Sequence, residues 1–359
     1  MRKALLATVL CGILGAFSPV AVPQAEAAPV KVSIATTDTM DTFPFWYAIE
    51  KGWDKESGIQ LDLKLFSSGM DQLNALAAGE WAFALQGGVP ASFGALRFGT
   101  KVVYMTANED VTNAIMVRPN SAILKTKGFN PDYPDVYGHP NDVKGKEFLC
   151  TTATSAHMAL SSWLNVLGLK DSDVTIKNMD QAAAVTAFET NIGEAVSLWA
   201  PHMFKGIKKG WQIAADVKTC KQALPNVIIA DPKFIKENPE ITAKVLALYM
   251  RGVEVYNNAP EAELIPLLQR FNREYVGIKF SAEEIKMNVA VHSYIGHKEA
   301  LDIFDDSKGA SKIQKWQGHL ANFFASVGRM TAEEAAKISD GKYATGEYIR
   351  LVKEIPAYK

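Results

Sequence analysis

The chain has 359 residues, with 38 basic and 39 acidic side chains, 48% apolar residues and three cysteines. A net charge of −1 gives no electrostatic footprint for nucleic acid or an anionic membrane surface, and neither is expected as a partner. Apolar residues near half of the chain are enough for real cores, and the length suggests two domains.

Arg2 and Lys3 open the chain, and an uncharged apolar stretch, Ala4 to Phe17, follows. Pro19 and Pro23 then break any helix ahead of small residues at Ala25, Ala27 and Ala28. Positive charge, apolar run and small-x-small motif in this order read as a secretory signal over residues 1–27, cleaved near Ala27. The apolar run falls short of the ~20 residues of a spanning helix, so an uncleaved anchor is disfavoured. Cys11 lies inside that run after Leu10, where a lipoprotein signal carries a small residue. Cleavage leaves 36 basic and 38 acidic residues and a soluble chain expected in the periplasm as a monomer. Cys150 and Cys220 remain, and both a disulfide and two buried thiols are open readings for them.

Strand and helix patterns alternate from Val30 onward. Val30–Ala35 carries apolar residues at period two and reads as a strand, as does Leu61–Phe66. Between them a polar turn, Thr36–Thr42, leads to a helix that Pro44 can open and Gly52 can close. Asp71–Ala78 reads as a helix ended by Gly79, and Trp81–Leu85 as a third strand. Gly87-Gly88-Val89-Pro90 turns into a helix over Ala91–Phe98, and Val102–Met105 is a fourth strand. Alternation at this spacing predicts a mostly parallel sheet covered on both faces.

Pro119–Asp142, rich in Pro, Gly, Asn and Asp, marks a boundary. A second series follows, with strands at Glu147–Cys150, Val174–Ile176 and Ala195–Trp199 and helices over Ser155–Leu167 and Gln181–Glu189. Gln212–Ala215 and Asn226–Ala230 are further strands. From Pro232 helical periodicity dominates, over Ile241–Tyr256, Glu261–Phe271, Ala282–Tyr294 and Ser311–Val327.

The order and spacing of several of these runs resemble the type 2 periplasmic solute-binding proteins of ABC transporters, within them the sulfonate/nitrate/taurine-binding family. The runs are Ile34 to Gly52, Asn74 to Glu80, Gln86 to Pro90, Lys144 to Leu167, Phe188 and Trp199-Ala200-Pro201, so the likeness spans Val30 to Ala230. The resemblance implies an α/β fold of two lobes, each a mixed, mostly parallel sheet flanked by helices, with a C-terminal helical segment. It places residues 28–118 plus 216–359 in lobe 1 and 119–215 in lobe 2, joined by a two-strand hinge. It also implies a small-molecule ligand in the interlobe cleft and an inner-membrane permease as partner. The connector Lys125 to Val143 is longer than the family's short link and suggests a surface insertion near the cleft mouth.

Thr151-Thr152-Ala153-Thr154-Ser155-Ala156-His157 follows a strand and opens a helix, a position that presents unpaired backbone N–H groups and hydroxyls to an anion. Ordinary capping by Thr154 or Ser155 is the competing reading. His157 is a candidate donor just inside that helix. Thr39, Met40 and Asp41 form the matching turn of the first lobe, beside Asp38 and Thr42, where an acidic side chain either meets a ligand ammonium or caps the next helix. Gly87, Gly88 and Val89 allow close backbone approach. Asn108 follows the fourth strand, and Trp199 can wall a pocket. No arginine stands in these turns, which favours a guest held by neutral donors.

No P-loop, zinc-spaced Cys/His array, H-E-x-x-H or Gly-x-Ser-x-Gly elbow is present, so neither a cofactor nor a metal nor catalysis is expected. The expected function is therefore delivery of a small organic anion or zwitterion, sulfonate-, taurine- or carboxylate-like, to an ABC importer. An enzyme on the same fold, such as a desulfinase using Cys150, and a periplasmic ligand sensor are the alternatives.

Overall fold

Ten strands form two sheets in the computed structural model, which describes residues 28–358. The expected signal segment and its cleavage site at Ala27 lie outside the described residues. In chain order the strands are β1 (Val30–Thr36), β2 (Ile59–Leu65), β3 (Phe83–Gly87), β4 (Lys101–Asn108), β5 (Asn113–Val117), β6 (Glu147–Cys150), β7 (Thr175–Asn178), β8 (Ala195–Trp199), β9 (Gln212–Asp216) and β10 (Pro225–Ala230).

The first sheet runs β2-β1-β3-β10-β4 and the second β7-β6-β8-β5-β9. In each, one strand runs against the rest: β10 is antiparallel to β3 and β4, and β5 to β8 and β9. Both odd strands are buried at every position, as expected for central strands covered on two faces. The two-lobed, mostly parallel α/β architecture agrees with the expected fold class.

Local chemistry accounts for most boundaries. Pro44 sits in the first turn of helix Phe43–Glu50, where its missing N–H is no loss. Gly52 follows with φ 72°, a left-handed conformation that suits glycine. That helix packs on Pro239–Asn258 at Gly252, where an added Cβ would lie 2.4 Å from the Pro44 carbonyl oxygen and 2.5 Å from its Cα. Backbone atoms cannot swing aside, so Gly252→Ala is expected to destabilise the chain by about 1–3 kcal/mol, read by urea denaturation.

The chain leaves the first sheet between Asn108 and Asn113 and returns between Asp216 and Pro225. The two passages are tied together: Glu109 N–H donates to the Leu224 carbonyl at 2.8 Å, and Lys218 N–H to that of Asp110 at 2.9 Å. Strand β5, which the sequence reading leaves in lobe 1, belongs to the second sheet. We propose that the lobes divide at these two passages rather than at Pro119.

The connector after Lys125 is an ordered flap on the second sheet's side. Trp163 Nε1 donates to the Tyr137 carbonyl at 2.7 Å, and Tyr137 N–H to that of Ala214 at 2.8 Å. Cys150 and Cys220 are both buried free thiols.

Candidate functional site

Between the two sheets lies a cavity of about 40 Å³. The first lobe supplies Thr37 and Thr39 from the turn after β1, Gly69 from the start of helix Gly69–Leu76, and Gln86, Gly87 and Pro90 where β3 runs into helix Gly88–Phe98. The first passage between lobes supplies Glu109 and the start of β10 supplies Asn226, and the second lobe closes the space with Thr154, Ser155 and Trp199. None of these lining residues carries a positive charge.

The second lobe's contribution is a helix start left uncapped. Thr154 is the N-cap of Ser155–Val166, yet its hydroxyl donates to the Thr151 carbonyl at 2.6 Å and no side chain caps the first turn. The orphan N–H groups of that turn are thus available to an anionic guest at the positive end of the helix dipole. Across the cavity, Gln86 is 3% exposed, and both polar atoms of its amide lack a partner. A buried amide in that state has free donor and acceptor capacity facing the cavity.

The lobes touch directly around this space. A Cβ built on Gly87 would fall 2.2 Å from Ser155 Oγ. His202 Nε2 lies 2.7 Å from Asp38 Oδ2, joining the second lobe to the turn after β1. Burial pushes the Asp38 carboxyl upward, but the His202 bond and charge outweigh it and leave the group below the usual carboxylate range. Farther out, Arg329 Nε donates to Asp171 Oδ2 at 2.9 Å. Asp171 likewise sits low, burial being outweighed by its bonds to His157, Ser161 and Arg329. Glu109 is pushed well up, first by burial and then by the charge of Asp41.

Of the residues singled out from the sequence, Thr39, Gly87, Ser155 and Trp199 line the cavity. The others are engaged elsewhere. Met40 and Val89 are core, and an added Cβ on Gly88 would press on Leu320 at 2.7 Å. Asn108 Oδ1 accepts from Leu224 N–H at 3.1 Å, holding the passage between lobes. The Thr151 hydroxyl donates to the Met179 carbonyl, and Thr152 binds Asn178 through both its N–H and its hydroxyl. His157 braces the turn, accepting from Ala153 N–H at 3.0 Å and meeting Asp171 at 2.9 Å. Asp41 is fully buried and accepts from Thr106 at 2.6 Å.

Gln86, Glu109 and Asn226 escaped the sequence reading. Gln86 carried a signal, a polar residue directly after the apolar run Phe83-Ala84-Leu85 and ahead of the Gly87-Gly88 turn. Glu109 and Asn226 reach the cavity only through long-range pairing of β4 with β10.

Cys150, the one nucleophile considered, is fully buried and does not line the cavity. Burial pushes its thiol far up, and that of Cys220 to about 12.

A family model described as NMT1/THI5 like matches residues 39–263. A Brachyspira hyodysenteriae protein named as an ABC transporter periplasmic binding protein is 23% identical over 304 residues, 84% of this chain and 84% of that protein. The taurine-binding periplasmic protein of Escherichia coli is 24% identical over 221 residues, covering 61% of this chain and 60% of that protein. Among solved structures, the periplasmic aliphatic sulphonate binding protein SsuA from Escherichia coli superposes with a TM-score of 0.65 at 17% identity, over 88% of this chain and 99% of that one. The periplasmic nitrate-binding protein NrtA from Synechocystis PCC 6803 gives 0.67 at 13% identity, over 90% and 88%. These likenesses establish the shared fold.

Proposed function

The chain belongs to the NMT1/THI5-like family, and on that premise we propose that it is the periplasmic substrate-binding component of an ABC importer. Its guest is a small organic anion or zwitterion, of sulfonate, taurine or carboxylate type. The observation that carries this reading is the interlobe cavity, where an unpartnered Gln86 amide shares one space with the uncapped start of helix Ser155–Val166.

The geometry accounts for a trap. An anionic head at the helix start meets backbone N–H groups and the Ser155 hydroxyl, which bind charge without a fixed cation. Closure then adds the Gln86 side, along with the Asp38–His202 and Asp171–Arg329 contacts between lobes. Contacts made only in the closed form tie affinity to closure, and the closed form is what a permease would recognise. Binding rather than catalysis is favoured because the named relatives and the sulphonate- and nitrate-binding neighbours are binding proteins. Incubation with a sulfinate is accordingly expected to release no sulfite.

A thermal-shift screen against sulfonates, carboxylates and amino acids tests the proposal. A guest at a hundred times its Kd is expected to add about 2.7 kcal/mol of stability. Ser155→Ala is expected to weaken that guest about tenfold and to shift unliganded stability by no more than about 1 kcal/mol. Thr152→Ala, at a residue tied to Asn178, is expected to leave affinity unchanged. No shift with any of these classes, or a Ser155→Ala variant of undiminished affinity, would take the helix start out of the site.

A further inference from the structure

We propose that Asp41, Glu109 and His292 hold one divalent transition-metal ion beneath the guest cavity. The three side chains come from the turn after β1, the first passage between lobes, and the residue following helix Ala282–Val291. All are buried, and one donor atom from each lies within 4.8 Å of the others. His292 Nε2 is 3.8 Å from Glu109 Oε1.

The second observation is that this pocket is full of polar atoms with nothing to bind. Asp41 Oδ2 and both ring nitrogens of His292 are buried without a hydrogen-bond partner, as are the hydroxyls of Tyr249, Tyr256 and Tyr294. Among the described residues, no lysine or arginine forms an ion pair with either carboxylate. Two buried carboxyl groups held only by neutral donors and a bare imidazole are costly in a dry interior, and a cation removes the cost of all three together.

The donor set selects the ion. Carboxylate and imidazole together suit Zn²⁺, Mn²⁺ or Fe²⁺. Ligand atoms at 2.0–2.2 Å from zinc stand about 3–4 Å apart, so the triangle need contract only modestly. The remaining carboxylate oxygens are already oriented, Asp41 Oδ1 by Thr106 at 2.6 Å and Glu109 Oε2 by Asn113 at 3.4 Å, as outer partners of metal ligands usually are. Glu109 also lines the guest cavity, so the ion would cancel the negative charge of the two carboxylates beneath a site proposed to take an anion. Only this last link rests on the transport reading; the ion site itself stands apart from it.

The test uses the full chain, stripped with a chelator and dialysed against Zn²⁺, with bound metal measured by mass spectrometry. One zinc per chain is expected, and cobalt(II) in its place should show d–d absorption of a site with nitrogen and oxygen ligands. Asp41→Asn and His292→Gln are each expected to weaken retention beyond the about 10- to 100-fold that outer partners carry. No zinc in the unmodified chain, as when the two carboxyls merely share a proton, would overturn the proposal. Retention in both variants equal to that of the unmodified chain would do so as well, since the ion would then sit elsewhere. The unmodified chain decides even if a variant fails to fold. Repeating the guest screen on the zinc-dialysed chain separates the two ideas: a guest bound by protein that took up no zinc leaves the transport reading intact and removes the metal, whereas zinc taken up with no guest bound leaves the metal and removes the transport reading.

Discussion

Gly87→Val is expected to cut guest affinity by about a hundredfold while leaving the unliganded chain near its native stability. Gly87 has φ −64° and ψ 155°, extended backbone that any residue adopts, so no conformational strain follows from the change. The obstacle is the facing lobe. A Cβ at this position falls 2.2 Å from Ser155 Oγ and 3.5 Å from Ser155 Cβ, whereas the nearest first-lobe atom, Pro90 Cδ, is 3.8 Å away. The added bulk therefore collides only when the lobes are shut. Overpacking of about 1–3 kcal/mol confined to the closed form subtracts from closure, and so from the affinity that closure provides. Alanine should do less, because the Ser155 hydroxyl can rotate away from a single methyl. Calorimetric titration measures the loss, and small-angle scattering of the valine variant with guest should keep the dimensions of the open form. Unchanged affinity in the valine variant would mean that the guest binds outside this cavity.

How far the sequence led depended on whether a feature was local. Glu147–Cys150, Gln181–Glu189 and Ala195–Trp199 have the boundaries their periodicity predicts, because each is framed by its own turn residues. Strand β5 was missed because Asn113–Val117 is buried at every position and shows no alternation before the Pro119 boundary. The placement of β10 between β3 and β4 was equally beyond reach of periodicity, since it is fixed by pairing with residues more than a hundred positions earlier. The cavity follows the same rule. Gly87 and Ser155 stand at strand–helix junctions that a pattern of strands and glycines reveals. Glu109 reaches it from the first passage between lobes, and Asn226 from β10, whose place in the sheet is fixed by long-range pairing. His157 looked like a donor because it lies in the first turn of the right helix, but Asp171, fourteen residues on, claims its ring.

Gln86→Met is expected to move binding and stability in different directions, which separates a residue kept for a guest from one kept for the fold. Gln86 is 3% exposed with neither amide atom bonded, although it sits among packed groups, its Oε1 lying 2.9 Å from where a Cβ on Gly69 would be. A structural glutamine would lose hydrogen bonds on becoming methionine, and the chain would melt earlier. Here there are no such bonds to lose. Methionine keeps the volume and needs no partner, so the unliganded melting temperature should hold or rise. The guest, in contrast, loses a donor and an acceptor inside a closed site, worth about 1–3 kcal/mol, or about 10- to 100-fold in Kd. Thermal melts and calorimetric titration of the same preparation read both effects. A lower melting temperature with unchanged affinity would assign Gln86 to the scaffold and leave the first lobe's share of guest recognition to the threonines of the turn after β1.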